Sequence, residues 1–262
     1  MPKVKNLLAE LPPAETIDVE GLRGALADGS VELVCVLGPT ASGKTRYAVA
    51  LARELGGEII SADSRQVYRG MDIGTGKDLS EYGDVPYHLI DIADPGDGYN
   101  VFRFKEDFFR AYEDIRRRGR VPVLCGGTGL YINAVTSGYD FGSHKPLSEP
   151  GRPSGEAPRT FFIGTLVSRE VRNARIDARL DARLQEGMVD EIKGLLDSGV
   201  EPQTLIAYGL EYKFVTLYLL GQLDYAAMRT QLATAIHQFA KRQMTWFRGM
   251  ERSGVRIHWT EV

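Results

Sequence analysis

The sequence predicts an α/β fold: a mostly parallel sheet flanked by helices, with a helical C-terminal part. Three observations predict it. Between residues 31 and 136, short apolar and β-branched runs alternate with segments of helical periodicity. Two of the runs, Val34-Cys35-Val36-Leu37 and Val121-Pro122-Val123-Leu124-Cys125, lead straight into glycine loops that open helices. The first of these loops is Gly38, Pro39, Thr40, Ala41, Ser42, Gly43, Lys44 and Thr45. It fits the pattern Gly-x4-Gly-Lys-[Ser/Thr], the phosphate-binding loop, and makes the expected fold P-loop NTPase-like.

Composition narrows the class. The 262 residues are 43% hydrophobic and 26% charged with a net charge of -3, an ordinary soluble globular profile. Near-neutrality excludes a chain coated in positive charge, though not a local basic groove. No apolar run approaches the ~18 residues of a membrane span, and the first residues lack the apolar core of a signal peptide. Cys35 and Cys125 sit inside apolar runs, as reduced, buried thiols of a cytoplasmic protein do. No membrane partner is expected.

Residues 1–30 read as a peripheral extension, broken at Leu11-Pro12-Pro13, with a short helix over Val19–Ala27. Residues 31–138 read as the P-loop core. Ala48, Leu51, Ala52 and Leu55 recur at helical spacing, and Gly56-Gly57 end that helix. Glu58-Ile59-Ile60-Ser61 reads as a second strand, so Asp63 falls just past its carboxyl end, beside the phosphate loop. An Asp-Ser pair in that place also suits a helix N-cap. Residues 71–86 are glycine-rich and polar, a loop or lid. Tyr87-His88-Leu89-Ile90-Asp91 reads as a third strand, with His88 structural. Phe104, Phe108, Ala111 and Ile115 trace a helix face closed by Arg116-Arg117-Arg118-Gly119, a solvated end suited to the helix dipole. Gly126-Gly127-Thr128-Gly129-Leu130-Tyr131 is the second strand–glycine–helix junction. It adds backbone donors at the same sheet edge and makes Thr128 a site candidate.

Residues 139–159 shift to Gly, Pro, Ser and charge and read as a linker. Residues 160–262 read as the remainder of the core with the C-terminal helices. A strand over 160–166 is followed by one long helix over 169–198, with Ile176, Leu180, Leu184, Ile192 and Leu195 on its core face. Arg172, Arg175, Arg179 and Arg183 lie on one flank of that helix, solvated or in contact with an anion. Leu210, Phe214, Leu217 and Tyr218 mark a further helix. The last starts near Asp224 and buries Met228, Leu232, Ala235, Ile236 and Phe239, before a final strand over 256–259.

Converging N–H groups, the helix dipole and Lys44 make the first loop an anion cradle. Three chemistries fit it. A small-molecule kinase or NTPase needs the loop, magnesium and a positioned acid. A group transfer with diphosphate as leaving group would use the loop, Lys44 and Mg²⁺ on the diphosphate, and Asp63 on a proton of the nucleophile. A nucleotide-gated module would need a base-specificity motif, and the sequence has none.

Several blocks together resemble the tRNA dimethylallyltransferase family. They are the phosphate loop; Ile60-Ser61-Ala62-Asp63-Ser64 with Val67-Tyr68-Arg69-Gly70-Met71-Asp72-Ile73-Gly74-Thr75; His88-Leu89-Ile90-Asp91-Ile92; the Gly126 junction; and Ala240-Lys241-Arg242-Gln243-Met244-Thr245-Trp246-Phe247-Arg248. The resemblance implies transfer of a dimethylallyl group from dimethylallyl diphosphate to the exocyclic amine of an adenine beside a tRNA anticodon. It implies Asp63 as general base, and a diphosphate held by the loop, by Thr45 with Mg²⁺, and by Arg175 or Arg179. Asp63, Ser64, Arg65 and Gln66 match the segment that holds the flipped adenine, and Thr128 matches a tRNA-contacting position. The chain departs from the family in two places. Residues 139–159 stand where a helical tRNA-gripping insertion is usual, and Gly74-Thr75-Gly76-Lys77-Asp78 replaces Gly-Thr-Ala-Lys-Pro. The acceptor is then tRNA, held through Lys241, Arg242 and the arginine helix, or a free adenine nucleotide, as in adenylate isopentenyltransferases.

Overall fold

The computed structural model describes residues 11–137 and 157–262. Residues 1–10 of the N-terminal extension and residues 139–156 of the expected linker lie outside the described residues. Six parallel strands form one sheet in the order β3-β2-β4-β1-β5-β6. They are β1 (Leu33–Leu37), β2 (Gly57–Ser61), β3 (Tyr87–His88), β4 (Val121–Gly126), β5 (Thr160–Leu166) and β6 (Ile257–Glu261).

β1 is buried along its whole length, and its side chains alternate between two cores. Leu33, Cys35 and Leu37 enter one; Val34 and Val36 enter the other. A parallel sheet needs cover on both faces. α1 (Val19–Ala27) and α2 (Lys44–Leu55) cover the second core with Leu22, Ala48, Val49, Leu51, Ala52 and Leu55. Each leucine so buried contributes about 1.5–3 kcal/mol. α3 (Val101–Arg117), α4 (Gly129–Thr136) and the C-terminal helices cover the first, with Phe104, Phe108 and Ile115 at its centre. Both cysteines are buried and free, as expected.

The C-terminal part departs from the sequence reading in three ways. The single helix over 169–198 is two, α5 (Arg169–Gln185) and α6 (Met188–Asp197). Gly187 at φ +103° turns the chain between them, a conformation open to glycine and closed to most other residues. A short helix, α7 (Pro202–Tyr208), precedes α8 (Leu210–Leu219), and Gly209 divides the two. α8 buries Tyr212, Val215 and Thr216, while Leu210, Phe214 and Tyr218 are only partly covered. α9 (Tyr225–Arg252), capped by Asp224, buries Met228, Leu232 and Ile236 as expected, but Phe239 is 39% exposed.

Two corrections concern the core. β3 is cut to two residues because Leu89 (φ +62°) and Asp91 (φ +56°) adopt the left-handed region, which no strand can use. The arginines closing α3 are not simply solvated. Arg118 donates from both terminal nitrogens to Glu58 on β2, whose side chain is 3% exposed, and His88 Nε2 lies 2.7 Å from the same carboxylate. Arg116 pairs with Glu32 at 3.3 Å.

Candidate active site

The sheet order brings the carboxyl ends of β1, β2 and β4 side by side, where open α/β sheets bind ligands. The phosphate loop leaves β1 and enters α2 at Lys44. Its shape is fixed from outside. Ser42 Oγ lies 2.7 Å from Thr165 Oγ1 on β5, wholly buried. The Thr40 N–H donates to Gln243 Oε1 at 2.8 Å. Gly38 faces Thr165 so closely that a Cβ would overlap its hydroxyl. Ala41 takes φ +61°, a strained setting that costs of order 1 kcal/mol and is typical of ligand-cradling loops. Lys44 Nζ reaches the Pro39 carbonyl only at 3.5 Å, which leaves its ammonium for an anion. Burial pushes that ammonium down from its ordinary value, opposed by Cys125 and Asp63.

Asp63 follows β2. It caps no helix; its Oδ1 accepts the Arg65 N–H at 2.8 Å, an Asx turn that holds the carboxylate still. The Ser64 N–H donates to Thr128 Oγ1 at 3.3 Å, so the loops after β2 and β4 are joined. Gln66 is held at both ends of its amide, by Ser61 Oγ at 3.3 Å and by the Gly76 carbonyl at 3.1 Å.

Two cavities flank this edge. One of about 710 Å³ lies between the phosphate loop and α5, lined by Gly43, Lys44, Thr45, Arg175, Arg179 and Arg183. The other, of about 460 Å³, is lined by Asp63, Ser64, Arg65, Gln66 and Thr128 on one side and by Glu211, Phe239, Arg242 and Trp246 on the other. Lys44, Thr45, Arg179 and Arg183 belong to both, so the cavities meet there. Of the two arginines singled out in the sequence, Arg179 stands at this junction, 3.0 Å from Asp78 Oδ2. Arg175 lines only the larger cavity, beside Gly43. Arg172 lines neither.

Sequence reading left three contributors without a role. Gln243 is buried and ties the two glycine loops together, accepting from Thr40 and donating to the Gly127 carbonyl at 3.0 Å. It occupies an apolar position of the stripe Ile236, Ala240, Gln243, Phe247, Met250, and that misplaced amide was a readable signal. Glu191 on α6 accepts the N–H groups of Asp72, Ile73 and Gly74 at 2.8, 2.7 and 3.1 Å and the Tyr212 hydroxyl at 2.8 Å, pinning the glycine-rich loop over the smaller cavity. Lys77, 2% exposed, pairs with Asp72 at 2.7 Å and with Asp91 beneath the same loop. No local pattern announces the Glu191 contact, since its partners lie more than a hundred residues away in the chain.

The family described as IPP transferase matches residues 66–156 and 141–250, and isopentenyl transferase matches residues 31–82. The tRNA dimethylallyltransferase 1 of Parabacteroides distasonis is 49% identical over 286 aligned positions, covering 89% of this chain and 93% of that protein. The chain belongs to the tRNA dimethylallyltransferase family. Another similar member, tRNA dimethylallyltransferase 2 of Bacteroides fragilis, is 46% identical and covers 88% of this chain and 93% of its own length. The crystal structure of full-length tRNA isopentenylpyrophosphate transferase from Bacillus halodurans superposes with a TM-score of 0.77 at 32% identity, covering 88% of this chain and 89% of that one. The α/β, P-loop NTPase-like fold expected from the sequence is therefore the fold of tRNA dimethylallyltransferases. The Parabacteroides alignment is longer (286 positions) than this chain (262 residues), so that relative carries residues for which this chain has none. The two pieces of the IPP transferase match meet within residues 141–156, in the segment read as a linker.

Proposed function

We propose that this chain transfers a dimethylallyl group from dimethylallyl diphosphate to the N6 amine of an adenine next to a tRNA anticodon, releasing diphosphate. The observation that carries the reading is the meeting of two cavities at Lys44, Thr45, Arg179 and Arg183. The cationic cavity takes the donor, the Asp63 cavity takes the base, and the reacting atoms meet between them. N6 attacks C1 of the prenyl group while the bond from C1 to the diphosphate oxygen breaks. The bonding electron pair leaves with the diphosphate, and Asp63 takes the N6 proton. Lys44, Arg179 and the loop N–H groups meet the charge that develops on the leaving group.

The base must leave its stack to enter the smaller cavity. Phe239 and Trp246, 39% and 43% exposed at the rim, offer faces on which neighbouring bases stack. Lys241 and Arg242, both exposed, offer charge to the phosphate backbone. That the relatives act on tRNA favours tRNA over a free adenine nucleotide, and over phosphoryl transfer to a small molecule. No helix among the described residues is long and apolar enough to cross a membrane, and a tRNA acceptor suits a cytoplasmic protein.

Mg²⁺ is the cofactor we propose. Among the described residues no cluster of three or more His, Cys, Asp or Glu could hold an ion on protein ligands alone. The residues fit a sparser arrangement, in which the Thr45 hydroxyl at the cavity junction would hold the ion together with the bound diphosphate. The ion would neutralise charge on the departing diphosphate. Calorimetric titration tests this. Dimethylallyl diphosphate is expected to bind with a Mg²⁺ dependence that Thr45→Val removes, whereas tighter binding of ATP, with hydrolysis, would contradict the reading.

A further inference from the structure

The cavity junction holds a guanidinium with an unused donor. The Arg183 side chain is only 11% exposed, yet its buried Nη2 has no hydrogen-bond partner among the described residues. Its nearest carboxylate oxygen, Asp78 Oδ2, lies 3.9 Å away, too far for a hydrogen bond. A second acid, Glu211 at the start of α8, also lines the smaller cavity and interacts with Arg183 through charge alone. Burial, reinforced by Arg179, pushes the Arg183 guanidinium down to about 10, so it still carries its charge at neutral pH. A buried charged donor that makes no hydrogen bond is costly, and a bound ligand is one of the few ways to offset that cost.

The loop over the junction is shaped around this side chain. Gly76, at φ +65°, has no Cβ, and a Cβ there would overlap the Nη2 atoms of both Arg183 and Arg179. Asp78 pairs with Arg179 at 3.0 Å and approaches Arg183 from the same side. Gly76 and Asp78 are the two positions at which Gly74-Thr75-Gly76-Lys77-Asp78 departs from Gly-Thr-Ala-Lys-Pro. The departures and the two arginines form one unit.

We infer that Arg183 is a second diphosphate-binding guanidinium, set beside Arg179, whose free Nη2 donates to the leaving group where the two cavities meet. This rests on the prenyl transfer proposed above. Two adjacent guanidinium groups suit a diphosphate, whose oxygens accept planar, paired donors better than a point charge can supply them.

The test is titration of inorganic diphosphate, and separately of tRNA, into the full-length protein with Mg²⁺ present. Arg183→Leu is expected to weaken diphosphate binding by about tenfold to a hundredfold, the worth of one charge-assisted hydrogen bond. Its affinity for tRNA stays at the wild-type value, and its melting temperature reports whether the variant is folded. If Arg183→Leu does not fold, Arg183→Gln, close in shape and neutral, is read by the same criterion. Wild-type diphosphate affinity in the folded variant overturns the inference and leaves the prenyl-transfer reading standing. A wild-type protein that binds no diphosphate overturns both.

Discussion

Asp63→Asn is expected to lower turnover by about 10²- to 10⁴-fold, the usual worth of a positioned general base, while diphosphate and tRNA affinities hold. The variant is chosen for its geometry. An asparagine Oδ1 still accepts the Arg65 N–H that fixes the turn at 2.8 Å, so the loop and its link to Thr128 survive. What is lost is the capacity to take a proton from N6. Asp63 also interacts favourably with Lys44, and its loss lets burial lower the Lys44 ammonium further. A single-turnover measurement with saturating donor and tRNA separates chemistry from binding. Activity equal to wild type would remove Asp63 from the role of base.

The second large effect is on stability. Arg118→Ala is expected to destabilise the fold, read as a lower melting temperature than wild type. The reason is Glu58, 3% exposed on β2, which keeps its charge only because Arg118 grips it through both terminal nitrogens and His88 lies at 2.7 Å. Burial pushes the Glu58 carboxyl up, but the hydrogen bonds and charge of Arg118 and His88 outweigh it and hold it below the ordinary 4.5. A carboxylate lowered on folding stabilises the protein above its unfolded value, and the contribution is lost as pH falls through the folded one. Wild type should therefore lose stability below about pH 4.5 more steeply than Arg118→Ala, whose Glu58 has less to lose. The magnitude stays below that of a fully buried pair because Arg118 itself is 43% exposed and His88 remains.

Some of this was legible in the sequence and some was not, and locality decides which. The run from Val34 to Leu55 carries its whole structure in order: apolar strand, glycine loop, periodic helix. The structure has the same strand, loop and helix there, with Ser64, next to Asp63, bonded to Thr128 at the second junction. The helix over 169–198 reads as one because apolar spacing continues through residue 187, while a single glycine turns the chain there without disturbing that spacing. Phe239 keeps helical spacing with Leu232 and Ile236, yet it is 39% exposed and lines the smaller cavity. The sequence around Arg118 shows only a helix end; its partner lies on a strand sixty residues earlier. The same holds for Glu191 under the glycine loop and for Arg183 against Gly76. Polar contacts made across the sheet edge depend on which elements become neighbours, and only the fold supplies that.

Transfer itself is the decisive measurement. The full-length protein with Mg²⁺ is given dimethylallyl diphosphate labelled in the prenyl group, together with tRNA carrying adenine next to the anticodon and, in parallel, AMP, ADP or ATP. The expected result is label in tRNA alone, recovered after digestion on the N6 amine of that adenine and absent with Asp63→Asn. Label in a free nucleotide, or none in any acceptor, would contradict it.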